Sequence, residues 1–135
     1  MTTTDAELWN LELTDDPDVQ NDVFLKAFNS GDGGVFDRLY RDDAISNLSG
    51  APLTGAERTR AIKEMLAKGP TLNSTLKHSY TAGDVTLIVV DFELGLPDEE
   101  GNLVPVKGSC TDVIRRGEDG RWLMAIDRPV ADPAA

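Results

Sequence analysis

Two aspartates, Asp112 and Asp127, sit inside late stretches that otherwise carry residues that pack. A carboxylate is rarely buried without a partner, so each acid either faces water or serves a polar site. Counted along their strands, Asp112 falls on one face with Cys110 and Ile114, and Asp127 on one face with Leu123 and Ala125. If that face lines a cavity, burial raises the pKa of Asp112, and the acid can offer a proton or hydrogen bond to a substrate oxygen. Two inward acids close together can share a proton. The alternatives are a structural acid at 112, bonded to a neighbouring hydroxyl, and a strand-end or rim acid at 127. His78 is the only histidine, flanked by Lys77 and Ser79. On a cavity wall it would complete an acid/base unit with Asp112 or Asp127; elsewhere it is a surface residue. Cys110, the sole cysteine, has no basic residue near it in sequence and reads as a small core or pocket-lining side chain rather than a nucleophile. One His, one Cys and no clustered ligand spacing predict no metal, and no cofactor is expected.

Helices should come first along the chain and strands after them. A helix is predicted from Asp15 or Asp16, with Pro17 in its first turn and Val19, Val23, Phe24, Ala27 and Phe28 on one face, ending at Gly31. A second, shorter helix carries Val35, Phe36, Leu39 and Tyr40 and is broken at Asp42-Asp43. Residues 44–48 read as a short strand. Thr54 and Glu57 read as a capping box for a third helix with Ala61, Ile62, Met65 and Leu66 inward, stopped at Gly69-Pro70. Four strands follow, over 72–81, 85–95, 103–115 and 121–127, with turns at Ala82-Gly83-Asp84 and Gly117-Glu118-Asp119-Gly120. This order predicts an α+β fold in one domain over 1–135, with three helices on one face of a curved antiparallel sheet. Its core spans about 15–130, and residues 1–13 and 130–135 are expected to be loose ends, with Leu8, Trp9, Leu11 and Leu13 as side chains that could dock. Phe24, Phe28, Phe36, Tyr40, Ile88, Val90 and Phe92 are core or pocket wall.

The chain has 135 residues, a formal net charge of −11, 40% hydrophobic and 27% charged residues. That balance is globular, and its sign disfavours nucleic acid and anionic membranes as partners. Arg115, Arg116, Arg121 and Arg128, with acids among them, read as a rim or dimer edge rather than a phosphate track. No apolar stretch is long enough to span a bilayer. The polar, acidic start is unlike a signal peptide, and a lone cysteine gives no sign of an oxidising compartment, so a cytoplasmic location is expected. Val113, Trp122, Met124 and Ile126 look like one apolar sheet face that the chain's own helices cannot also cover. A homodimer through that face is expected.

Several short motifs, in order, carry a resemblance. They are Phe28-Asn29-Ser30-Gly31-Asp32, Leu39-Tyr40-Arg41-Asp42-Asp43-Ala44, Leu53-Thr54-Gly55 and Ala82-Gly83-Asp84. Thr111-Asp112-Val113-Ile114-Arg115-Arg116 and Asp119-Gly120-Arg121-Trp122 complete them. Over residues 15–130 the chain resembles the nuclear transport factor 2-like superfamily, in its SnoaL-like and ketosteroid-isomerase-like branches. The resemblance implies a cystatin-like, cone-shaped half-barrel, a deep and mostly apolar pocket for a small molecule, and dimers through the open sheet face. The isomerase branch uses a carboxylate base with a tyrosine and a neutral acid as oxyanion donors. By position the neutral acid falls on Asp112, the tyrosine on Phe24 and the base near Asn47 or Leu48. Two of the three groups are therefore missing. The fold hosts many chemistries, so function must be argued from the site. Two readings remain. One is an acid/base enzyme of isomerase, cyclase or dehydratase type, acting on an apolar, carbonyl-bearing molecule. The other is a non-catalytic binding or dimerisation module. In either, the pocket would be lined by Phe24, Phe28, Ile88, Val90, Phe92, Cys110 and Ile114.

Overall fold

A computed structural model describes residues 5–47 and 51–132. Helices α1 (Asp5–Trp9), α2 (Pro17–Asn29) and α3 (Gly33–Asp37) precede strand β1 (Tyr40–Ser46) and helix α4 (Gly55–Ala67). Strands β2 (Thr71–Ala82), β3 (Val85–Pro97), β4 (Leu103–Arg116) and β5 (Trp122–Ala131) follow. The sheet order is β1-β5-β4-β3-β2. Pairing is antiparallel from β2 to β5, and β1 runs parallel to β5 at the edge. The sheet is therefore mixed, which corrects the expected antiparallel one. A parallel neighbour requires a long crossover; here the rest of the chain, α4 through β4, supplies it.

Local chemistry explains the helix ends. The carboxylate of Asp16 accepts from the Asp18 amide at 2.9 Å, and Pro17 opens α2 where its missing N–H costs nothing. Thr54 stands at the N-cap of α4, but its side chain makes no capping bond, so the expected capping box is not formed. The second helix stops at Asp37, and Tyr40 to Asp43 are strand rather than the end of that helix. Helix α3 lies so close to α4 that a Cβ on Gly33 would come 2.6 Å from Lys63 Cα. Asn29 fastens α2 to the sheet, donating to the Leu72 carbonyl at 2.9 Å and accepting from its amide at 2.7 Å.

The inner sheet face is set by the alternation on β3, where Thr86, Ile88, Val90 and Phe92 are all buried. They meet Phe28, Phe36, Ile62 and Leu66 from the helices. Among the described residues, parts of the arm and of the tail dock on the fold. Leu8 and Leu11 pack on the core, Leu13 is buried and bridges to Trp122, and β5 continues to Ala131, which pairs with Gly108. The tail thereby carries β5 alongside Cys110 and Asp112 of β4, two of the cavity-lining residues.

The outer face differs from the expected one. The β4–β5 register runs Val113↔Ile126 and then Ile114↔Met124, so Ala125 is a bulge. One extra residue moves everything beyond it to the other face. Met124 is thus buried with Ile114, and Trp122 packs against the core, while Ile126 stays exposed. The outward apolar row is instead Ile45, Ile126, Val113, Leu87 and Tyr80, one residue from each strand in register. Among the described residues no helix is long and apolar enough to cross a membrane.

Candidate functional site

Between α2 and the inner sheet face lies a cavity of about 310 Å³. Phe24, Phe28, Ile88, Val90, Phe92 and Cys110 line it, as do Asp112 and Asp127. Ile114 does not; it is fully buried beneath Met124 in the core. Nor does His78. It pairs with Val89 on the outward face of β2, exposed, with its ring stacked on Tyr80 at 6.4 Å. The bulge at Lys77 sets that parity: Leu76 faces in, and His78 faces out.

The two aspartates are direct cross-strand neighbours, Asp112 of β4 opposite Asp127 of β5. The Cys110 thiol lies between them, 3.0 Å from Asp112 Oδ1 and 3.4 Å from Asp127 Oδ1. Tyr40 Oη donates to Asp127 Oδ2 at 2.5 Å, and Ser46 Oγ donates to the same oxygen at 3.2 Å. Tyr40 and Ser46 stand at the two ends of β1, paired with Met124 and Asp127 of β5. The parallel edge strand therefore delivers both hydroxyls to one carboxylate.

Burial pushes the carboxyl of Asp112 well above its ordinary range, and the neighbouring charge of Asp127 pushes it further. Burial raises Asp127 as well, but the hydrogen bonds from Tyr40, Cys110 and Ser46 oppose the rise. The pair is thus polarised. Both carboxyls are raised, Asp112 with burial and the Asp127 charge acting together, and Asp127 with several hydrogen bonds opposing its burial. Burial, and then Asp127, keep the Tyr40 phenol protonated as a donor. Burial likewise raises the Cys110 thiol far above the range in which it ionises, so it is a donor here and not a nucleophile.

Spacing along the chain gives no sign of one convergence in the fold: Cys110 Sγ and a carboxylate oxygen from each aspartate lie within 4.8 Å of one another. A divalent ion would need the thiol and both acids deprotonated, against the upward pull of burial on all three. The arrangement suits shared protons better than a cation. Sequence reasoning placed Tyr40 in the core or pocket wall and missed its bond to Asp127, and it missed Ser46 entirely. The available signal was that a buried tyrosine hydroxyl needs a partner, and the two strand aspartates were acceptors without donors. Asn47 lines the cavity, whereas Leu48 lies outside the described residues.

An open five-strand mixed sheet with helices over its inner face, closing on an apolar cavity, is the α+β cone of the nuclear transport factor 2-like superfamily. Within it the chain belongs to the SnoaL-like domain family, which it matches over residues 22–124. None of the curated proteins compared matches it. Among solved structures it is similar to a candidate calcium/calmodulin-dependent protein kinase II association domain from Xanthomonas campestris. The two are 20% identical, with a TM-score of 0.71 and coverage of 100% of this chain and 99% of the other. It is also similar to a ketosteroid isomerase-like protein from Erwinia carotovora atroseptica, with 16% identity, a TM-score of 0.70 and coverage of 82% and 89%. A nuclear transport factor 2-like superfamily protein from Salmonella enterica gives 11% identity, a TM-score of 0.71 and coverage of 82% and 84%.

Proposed function

We propose that this protein is an acid/base enzyme acting on a small, apolar, carbonyl-bearing molecule, with Asp112 and Asp127 as its proton-handling unit. The observation that carries this reading is the polarised pair on the wall of an otherwise apolar cavity. Asp112, neutral, donates to the carbonyl oxygen and stabilises the charge that develops there. Asp127, anchored by Tyr40 and Ser46, keeps that proton on Asp112 and takes up a proton released from the substrate. The tyrosine implied by the isomerase-like resemblance is Phe24 here. Tyr40 supplies a phenol from another element, and it serves the carboxylate rather than the substrate. A cavity of about 310 Å³ stands at the small end of ligand sites, so a compact molecule fits better than a long polycyclic one. The alternative reading, a non-catalytic binder, is favoured by one fact: among the described residues the cavity holds no ionisable base apart from the pair.

A melting-temperature panel tests the proposal. Compact cyclic ketones and lactones should raise the apparent stability, because they bind only the folded chain. Hydrocarbons of the same shape should do so more weakly. Equal shifts for both would remove the carbonyl from the recognition. Binding without turnover of any carbonyl member would favour the binding module.

We also infer that a second copy covers the outward row Ile45, Ile126, Val113, Leu87 and Tyr80. The row crosses all five strands with no charged residue in it, and a helix of the same chain covers the opposite face. Ile126→Asp should convert a dimer to a monomer in light scattering at micromolar concentration. A parent protein that is already monomeric there would overturn the inference.

A further inference from the structure

The arginines of this chain are not spread over its surface. Eight are present, with five lysines. Six of the eight, and none of the lysines, line one open groove of about 1110 Å³. These are Arg38, Arg41, Arg58, Arg115, Arg116 and Arg121. The groove is built where the α3–β1 connection, the start of α4 and the β4–β5 hairpin meet, and Tyr40 separates it from the apolar cavity by bordering both. In a chain of net charge −11, such segregation needs a local reason. Arginine in place of lysine is the choice where a planar, bidentate partner is met.

Six acids share the groove, Asp37, Asp42, Asp43, Asp84, Glu118 and Asp119, and four of them are committed. Asp37 holds Arg58 at 2.7 Å, Asp43 holds Arg41 at 2.9 Å and Asp84 holds Arg116. Asp119 is turned back to the Arg121 amide at 3.0 Å. The three ion pairs fix the guanidiniums of Arg58, Arg41 and Arg116. Arg58 is the most constrained: it is 4% exposed, lies 4.8 Å over the Tyr40 ring and leaves its Nε without a partner. Arg115, near the end of β4, and Arg121, just before β5, are exposed, and their side chains hold no hydrogen bond or ion pair among the described residues, although the charge of Arg115 is felt by Asp43.

We propose that this groove binds a small anion, a phosphate or carboxylate group carried by a ligand, gripped by Arg115 and Arg121 against the fixed guanidiniums of Arg41, Arg58 and Arg116. The site is distinct from the aspartate cavity and would exist whether or not that cavity is catalytic.

Titration with inorganic phosphate and, separately, with malonate tests it, at constant ionic strength balanced with chloride. The readout is the arginine Nε–H resonances of the full chain. Saturable shifts in the groove arginines are expected. A response to phosphate alone assigns a phosphate-bearing ligand, and a response to malonate alone a carboxylate. Arg115→Gln with Arg121→Gln should weaken binding by about tenfold or more. Arg60→Gln with Arg128→Gln removes the same charge outside the groove and should change it by less than about twofold. Both pairs are surface changes, and an unchanged melting temperature checks that the fold survives. No saturation by either anion below about 10 mM overturns the proposal. An equal loss in the Arg60/Arg128 pair does so as well, because the attraction would then be diffuse.

Discussion

Replacing Asp112 with Asn should lower turnover of a carbonyl substrate by about 100- to 10,000-fold, the range for losing a positioned proton donor, and should at the same time make the protein more stable at neutral pH. The second effect follows from the direction of its pKa. Asp112 is raised in the folded chain by burial and by Asp127, whereas in the unfolded chain it titrates near the usual value of about 4. Between those two values the folded chain keeps a proton that the unfolded chain has lost, so stability falls as pH rises through that window. Below about 4 both states are protonated and the residue costs nothing. Asparagine does not titrate, yet its carbonyl still accepts from Cys110. The variant should therefore match the parent in acid and gain on it by about 1.4 kcal/mol per pH unit until the folded-state value is passed. Thermal melts across pH 3–9 check the sign. A constant difference between the two proteins would show that Asp112 is not held neutral. Full turnover in the variant would take the residue out of the chemistry and leave a binding pocket.

Tyr40→Phe should destabilise the fold by about 2–3 kcal/mol at neutral pH, the upper part of the range for a hydrogen bond to a charged group. The change removes only the hydroxyl. The ring keeps its tilted contact with Phe36 at 5.4 Å and its place under Arg58. What is lost is the 2.5 Å bond that opposes the rise of the Asp127 carboxyl. Its absence lets burial carry the Asp127 carboxyl higher, so the pH at which activity appears should move upward. The loss of stability should be larger at pH 8 than at pH 5, since the bond is strongest to the charged form. Ser46→Ala touches the same oxygen through a longer bond of 3.2 Å and should cost less. Equal costs for the two variants, or no movement of the pH profile, would reduce Tyr40 to a packing residue.

Much of the architecture was legible from local signals. Asp16 with Pro17 marked the start of α2, Gly83 marked the β2–β3 turn through its positive φ of 59°, and the β3 alternation identified the residues that face inward. These signals act within a few residues and need no partner strand to be read. The same locality explains why Asp112, Cys110 and the residues from Phe24 to Phe92 line the cavity where parity puts them: each lies on a strand or helix that the structure leaves regular.

Where the chain departs from regular pairing, sequence parity was not enough. Strand periodicity of two is exact only while no residue is inserted, and whether one is inserted depends on how far neighbouring strands must curve to close over the helices. The bulges at Lys77 and Ala125 are such insertions. They turn His78 out to solvent and Met124 into the core, and they replace the expected outer face with the row through Ile126. The β1–β5 pairing joins residues more than eighty positions apart, and only that pairing brings Tyr40 and Ser46 to Asp127. The amino-acid sequence by itself determined which acids could be buried, the order of the elements and the family they build. The tertiary structure alone decided that the two acids face each other with a tyrosine on one of them, because cross-strand register is a property of the closed sheet and not of any segment within it.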